Sequence, residues 1–354
     1  MAKRRYLRGI AGAMLAASAL AVPAGPAFGV PRPPAPPTNL AAATAVGTHN
    51  TYAQSAYHVL AQALDAGGSL IEIDAWAHPA RGDWTVSHTR MQGNQNNCVA
   101  ARTAGGLYTG ADDQGLGTCL DNLRIWLDTH PDRGPFLVKI ELKDGFAGAN
   151  GNGPAALDAV IAGHLGSHAF RPVDLLRSPS GGMFPDPTTA AQADNWPART
   201  ALRGKVIVEL IPGTYERSTT PPAQWSDAAY ATSLRNRAAT GTLATAQAFP
   251  AVLNAQPGDP RTRYPDASIR PWFVVFDADA DVYLDHADTT WYERNHFLVV
   301  LTNAHDPEPA MNRTQPKAAA AAARVARLAA AGASFVSTDW STTHPVLSAL
   351  LPRG

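Results

Sequence analysis

The chain has 354 residues, with 29 basic and 29 acidic side chains and a formal net charge of zero. It carries no basic tract of the kind that neutralises a phosphate backbone, which sets nucleic-acid binding aside. Charged residues make up only 16%, while glycine and proline occur 29 times each, a composition that suits a loop-rich exported enzyme.

Residues 1–29 read as an export signal. Lys3, Arg4, Arg5 and Arg8 form a basic head, Ile10 to Val22 is an uncharged apolar run, and small residues follow around Ala24 to Gly29. The apolar run, about 13 residues, is too short to cross a ~30 Å hydrocarbon core as a helix. Arg8 interrupts the positions a twin-arginine signal needs, so the general secretory route is expected. Residues 30–40, with Pro31, Pro33, Pro34, Pro36 and Pro37, read as a stiff linker. The remaining 41–354 is expected to be a single domain, soluble, extracellular and monomeric, with no transmembrane segment.

Ala42 to Gly47 reads as a first strand leading to His49. Ala56 to Ala66 has helical spacing and stops at Gly67-Gly68. Leu70 to Asp74 is a second strand, and Trp84 to His88 an extended piece beyond it. Thr89 to Gly117 is long and rich in Gly, Asn and Gln; such loops are usually functional or disordered, and this one is expected to form a wall over the site. Cys98 and Cys119 are the only cysteines, and an even pair in an exported chain predicts one disulfide. It would close a loop of about 20 residues, worth about 3 kcal/mol in the chain-entropy model. Further on come a helix at Thr118 to Thr129, a strand at Phe136 to Leu142, a helix at Pro154 to Gly166 and an irregular stretch from Phe170 to Arg199. Strands follow at Lys205 to Ile211, Trp272 to Asp277 and His296 to Thr302, then a helix at Pro316 to Ala331 and a last strand at Ala333 to Thr338. The strand missing from a full set of eight falls in Phe170 to Leu175 or Phe249 to Leu253. Strands alternating with helices predict a parallel sheet, here a single (β/α)8 TIM-type barrel, closed or slightly open.

Strand parity points to the site. Val138, Ile140 and Leu142 share one face of their strand, and Lys139, Glu141 and Lys143 share the other. Aliphatic side chains belong under the outer helices, so the charged face must look into the barrel. Ile71 and Ile73 against Glu72 and Asp74 repeat the pattern, as do Val206, Val208 and Leu210 against Glu209. Inward charges are costly unless paired or metal-bound. Asn50, Glu72, Asp74 and Glu141 offer only oxygen ligands, which suits Ca2+ better than zinc. His49 and His88 flank this acidic set and are the candidate acid–base pair.

His49-Asn50-Thr51-Tyr52, Glu72-Ile73-Asp74, His88 and Ile140-Glu141 resemble the catalytic barrel of phosphoinositide-specific phospholipases C. The secreted bacterial calcium-dependent group is the closer match. It is similar also in the Gly47-Thr48-His49-Asn50 start, the Cys119-Leu120 stretch, Glu141-Leu142-Lys143-Asp144 and Val336-Ser337-Thr338-Asp339-Trp340. The resemblance implies catalytic roles for His49 and His88 and calcium ligation by Asn50, Glu72, Asp74 and Glu141. It implies cleavage of phosphatidylinositol-type lipids to diacylglycerol and a cyclic inositol phosphate, with transient contact at a membrane surface. Lys143 is expected to contact phosphate, and Tyr52 or Trp340 to stack on the sugar. The rival readings are a glycerophosphodiester phosphodiesterase, which typically begins with His-Arg-Gly, and an inactive glycolipid-binding barrel.

Overall fold

The computed structural model describes residues 39–78, 83–90, 96–146, 152–254, 257–341 and 345–354. The expected export signal and most of the linker lie outside the described residues. Eight parallel strands follow one another around a closed barrel: β1 (Ala43–Thr48), β2 (Leu70–His78), β3 (Phe136–Leu142), β4 (Val206–Pro212), β5 (Phe249–Leu253), β6 (Val275–Asp279), β7 (Leu298–Thr302) and β8 (Phe335–Thr338). Each pairs with the next, and β8 returns to β1 in the register Ala45↔Phe335 to Thr48↔Thr338. Helices at Leu116–Thr129, Pro154–Leu165, Ser226–Ala239 and Ala318–Ala330 lie between strands. The TIM-type barrel read from the sequence is therefore the observed fold.

The missing strand is β5, and β2 runs on to His78, where Asp83–Val86 folds back against it. The helix Ser226–Ala239 has no counterpart in the sequence reading, because its alanines blur the apolar stripe that marks a helix face. Parity holds throughout. Ile71, Ile73, Val138, Ile140, Val208 and Leu210 are buried at 0–2% exposure, and their inward neighbours Glu72, Lys139 and Glu209 are buried with them.

The segment after His88 departs from expectation. Cys98 and Cys119 are disulfide-bonded, which ties residues 96–117 to the helix Leu116–Thr129. Tyr108 Oη donates to Asp65 of the first helix at 2.7 Å, and Val99, Leu107 and Leu116 are buried. These apolar side chains draw the described part of the segment onto the outside of the barrel. None of its described residues lines a cavity at His49, so this described part does not form the expected wall over the site.

The barrel closes at a tight seam. Leu350–Pro352 pairs antiparallel with the start of β1, so β1 and β2 meet only at Gly47↔Leu70 and Thr48↔Ile71. A Cβ on Gly47 would fall 2.2 Å from the carbonyl oxygen of Leu70. No side chain fits there. Gly47→Ala is expected to lower the unfolding free energy by about 3 kcal/mol through this overpacking. Denaturant titration of the variant checks it, and an unchanged midpoint would show that the seam can widen.

Candidate active site

The mouth of the barrel gathers the residues that the strands deliver at their carboxyl ends, where such barrels place their chemistry. Strand β1 ends at Thr48, but its ladder continues, since His49 N–H donates to the Thr338 carbonyl at 2.7 Å. Asn50 then adopts a left-handed conformation with φ 49°, which asparagine tolerates, and its backbone N–H donates to Glu72 Oε2 at 3.3 Å. Thr51 fixes the turn: its hydroxyl accepts from Glu72 N–H at 3.1 Å and donates to the Thr48 carbonyl.

His49 sits between two carboxylates. Its Nδ1 lies 3.1 Å from Asp339 Oδ1 and its Nε2 lies 3.6 Å from Glu72 Oε2. Burial works to lower its pKa, but Glu72 and Asp339 outweigh that and push it up to about 9. A histidine raised in this way stabilises the fold in full below its ordinary 6.5, and the contribution is lost as pH rises through about 9. His88, on the far side of the same cavity, shows the opposite tendency. Partial burial and then the Lys143 charge hold it below its ordinary value. The cavity, of about 430 Å³, is lined by both histidines together with Asn50, Tyr52, Arg313 and Asp339. A second polar cavity of about 210 Å³ opens on the other side of His49, lined among others by Glu72, Glu141, Arg217 and Asp279.

Glu72, Asp74 and Glu141 form the acidic cluster, with ligand atoms within 4.8 Å of one another. Burial and the neighbouring Glu141 raise Asp74. Burial also acts to raise Glu141, yet Lys143 and the Thr214 N–H bring it below its ordinary value. Asp74 Oδ2 accepts from Tyr52 Oη at 2.9 Å, while its buried Oδ1 has no hydrogen-bond partner among the described residues. An orphaned buried carboxylate oxygen beside two more carboxylates and the Asn50 amide fits a hard cation such as calcium.

The structure also corrects some roles. Trp340 is fully buried and Tyr52 is 2% exposed, so neither ring is free to stack on a sugar. Tyr52 instead braces the cluster, donating to Asn50 Oδ1 at 3.1 Å as well as to Asp74. Lys143 Nζ lies 3.1 Å from Asp74 Oδ2 and 3.0 Å from Glu141 Oε1, so its charge serves the carboxylates. Sequence reasoning passed over Asp339, which directly follows β8 just as His49 follows β1. The strand-end rule alone marks that position. It also passed over Thr214, whose backbone N–H and hydroxyl both donate to Glu141 Oε1, at 2.9 and 3.1 Å.

Fold and site together define a (β/α)8 barrel with two histidines on one cavity beside a carboxylate cluster that could hold a metal ion. Comparison with solved structures narrows this. The structure of a Ca2+-dependent phosphatidylinositol-specific phospholipase C from Streptomyces antibioticus matches with 45% sequence identity and a TM-score of 0.85, covering 90% of this chain and 99% of that one. The chain therefore belongs to the family of calcium-dependent phosphatidylinositol-specific phospholipases C. A calcium-dependent phosphoinositol-specific phospholipase C from the Gram-negative Pseudomonas sp., in a myoinositol complex, shares the fold at 16% identity and a TM-score of 0.66, covering 89% of this chain and 95% of its own. No family model and no curated protein matches the chain.

In metal-free protein, Asp339→Asn is expected to bring the His49 pKa down from about 9 towards 6.5, because one of its two anionic neighbours becomes neutral. NMR titration of the ring protons reads this directly. A ring still titrating near 9 would assign the whole effect to Glu72.

Proposed function

We propose that the protein is an exported calcium-dependent phospholipase C that cleaves phosphatidylinositol-type lipids to diacylglycerol and a cyclic inositol phosphate. The observation that carries the reading is the histidine pair: two imidazoles share one cavity, and their surroundings drive their proton affinities apart. Such divergence keeps one ring charged for the phosphate and leaves the other free to exchange protons with water. The relative at 45% identity supports both the substrate class and the metal. The leader-like residues 1–29 support export, and no helix among the described residues is long and apolar enough to cross a membrane.

Asn50, Glu72, Asp74 and Glu141 would hold the calcium ion. Calcium in that place lowers the pKa of the inositol 2-hydroxyl and neutralises charge on the phosphate oxygens. Tyr52 keeps Asp74 and Asn50 facing one another, and Asp339 fixes the His49 ring from its Nδ1 side. As an imidazolium, His49 donates to the phosphate oxygen on which negative charge accumulates. A carboxylate of the cluster receives the proton of the attacking hydroxyl. His88 gives a proton to the departing diacylglycerol oxygen, and its solvent-exposed ring is reloaded from water. Water then opens the cyclic product. At the rim, Tyr215 packs against Trp76 yet stays 49% exposed beside Thr214, an apolar group suited to transient contact with a lipid surface.

The test is incubation with phosphatidylinositol vesicles with calcium or with a chelator, following diacylglycerol and cyclic inositol phosphate. Activity should vanish in chelator. Release of glycerol-linked products without any cyclic phosphate would favour a glycerophosphodiester phosphodiesterase instead. His49→Ala and His88→Ala are each expected to lower turnover at least ~10²-fold, as for positioned acid–base groups. Near wild-type turnover in either removes that residue from the mechanism. Tyr52→Phe, which deletes one hydroxyl behind two ligands, should weaken calcium binding about tenfold by calorimetry. An unchanged constant would make Tyr52 a packing residue only.

A further inference from the structure

The segment 96–117 lies outside the mouth, yet its first two described residues reach the backbone beneath both histidines. Asn96 Nδ2 donates to the Val86 carbonyl at 3.0 Å, on the strand that leads to His88. Asn97 Nδ2 donates to the carbonyls of Thr51 and Tyr57 at 2.9 and 3.0 Å, with a longer contact to Ala53 at 3.4 Å. Its backbone N–H donates to the Tyr52 carbonyl at 2.8 Å. These carbonyls belong to the irregular loop that carries His49 and Asn50. Both asparagines are 0% exposed. A dehydrated primary amide is costly unless its hydrogen bonds are made; both side-chain amides place their donors on two separate stretches of chain, while Asn97 Oδ1 has no partner among the described residues. Cys98, the next residue, is bonded to Cys119 in the helix Leu116–Thr129, and Asn122 of that helix grips both polar groups of the Val99 backbone, at 2.9 and 2.7 Å. The grip on the two loops is thus anchored to a rigid element.

We propose that Asn96 and Asn97, strapped down by the Cys98–Cys119 disulfide, are positioning residues that set His49 and Asn50 in place relative to His88. The inference rests on the acid–base reading of the two histidines. An apolar pair at these positions would fill the same space but leave the Val86, Thr51 and Tyr57 carbonyls without these donors and the two loops uncoupled. A misplacement of about 1 Å at a reacting centre costs on the order of 10²-fold in rate, so the coupling matters to turnover and not only to folding.

The experiment compares wild type with Asn97→Leu, which keeps bulk and removes every side-chain donor, and Asn97→Ser, which keeps one. Leu328→Ala, in the buried face of the helix Ala318–Ala330, serves as a control that destabilises the fold away from the site. The readouts are calcium Kd by calorimetry and kcat and KM on phosphatidylinositol vesicles. Asn97→Leu is expected to lower kcat at least about tenfold with KM little changed and to raise the calcium Kd about tenfold, the range seen when outer partners of ligating residues are lost. Asn97→Ser should fall between it and wild type. Leu328→Ala should lose melting temperature with kcat and Kd intact. Should Asn97→Leu fail to fold, Asn97→Ser decides. A folded variant with wild-type kcat and calcium Kd overturns the proposal, as does an equal change in Leu328→Ala. Wild type that cleaves no phosphatidylinositol sinks the functional reading instead, and the calcium Kd of the variants still judges the strap.

Discussion

The ammonium of Lys139, 3% exposed inside the barrel, is the charge on which the rest of the site depends. It lies 2.8 Å from Asp277 Oδ2 and 3.4 Å from Glu72 Oε1, and it donates to Thr302 Oγ1 at 2.9 Å. Burial acts against its charge, but Asp277, Glu72 and Glu209 raise its pKa well above the ordinary value, so it stays a cation. Glu209 shows what happens without such a contact. Burial and then Asp277 push its carboxyl far up, and neither oxygen has a hydrogen-bond partner among the described residues. Ionised carboxylates persist inside a barrel only where a cation is at hand. Lys139 holds Glu72 on its Oε1 side, while its Oε2 faces His49 and the Asn50 N–H. Just beyond the end of β3, Lys143 lies in the same way between Asp74 and Glu141. The alternation of Lys139, Glu141 and Lys143 along one inward face therefore supplies counter-charge layer by layer. Near the mouth burial still raises Asp74, while Lys143 helps to bring Glu141 below its ordinary value.

That alternation is also why so much was legible in the sequence. A period of two in β2, β3 and β4 reports which side chains face inward before any contact is known, and the strand ends then pick out His49, Glu72, Asp74 and Glu141. What the period does not report is which way a side chain turns once the strand has ended. Tyr52 follows the last residue of β1 by four positions, and its ring is turned inward because its hydroxyl bonds Asp74 and Asn50. Trp340 is likewise packed away, although an aromatic residue at a strand end reads equally well as a sugar platform. Asp339 escaped notice for a different reason. It meets His49 across 290 positions of sequence, through the pairing of β8 with β1. Only the closure of the barrel makes them neighbours, and closure register is a property of the whole chain.

The same closure explains how a loop residue comes to be held precisely. His49 lies one residue beyond β1, yet its backbone is still in the ladder through the Thr338 carbonyl, and its ring is held by Asp339 from the same strand end. Strand β8 thus fixes both ends of the side chain. Gly47, two residues earlier, lets β1 approach β2 closely enough for Thr51 to reach Glu72 N–H. Position is inherited from the sheet. This bears on where substrate preference is set. A site built on ladder hydrogen bonds and balanced charge layers leaves little freedom in the histidines or the carboxylates. The described part of the long segment after His88, expected to shape the pocket, instead bonds the backbone beside the two histidines from outside. The second cavity is lined also by Arg217, Asn254, Asp279 and Asn303, which come from the ends of four other strands and are not among the candidate calcium ligands. With Asp277 and Asp279 beside Glu72 and Glu141, that cavity sets four carboxylates against Lys139, Arg217 and the raised His49.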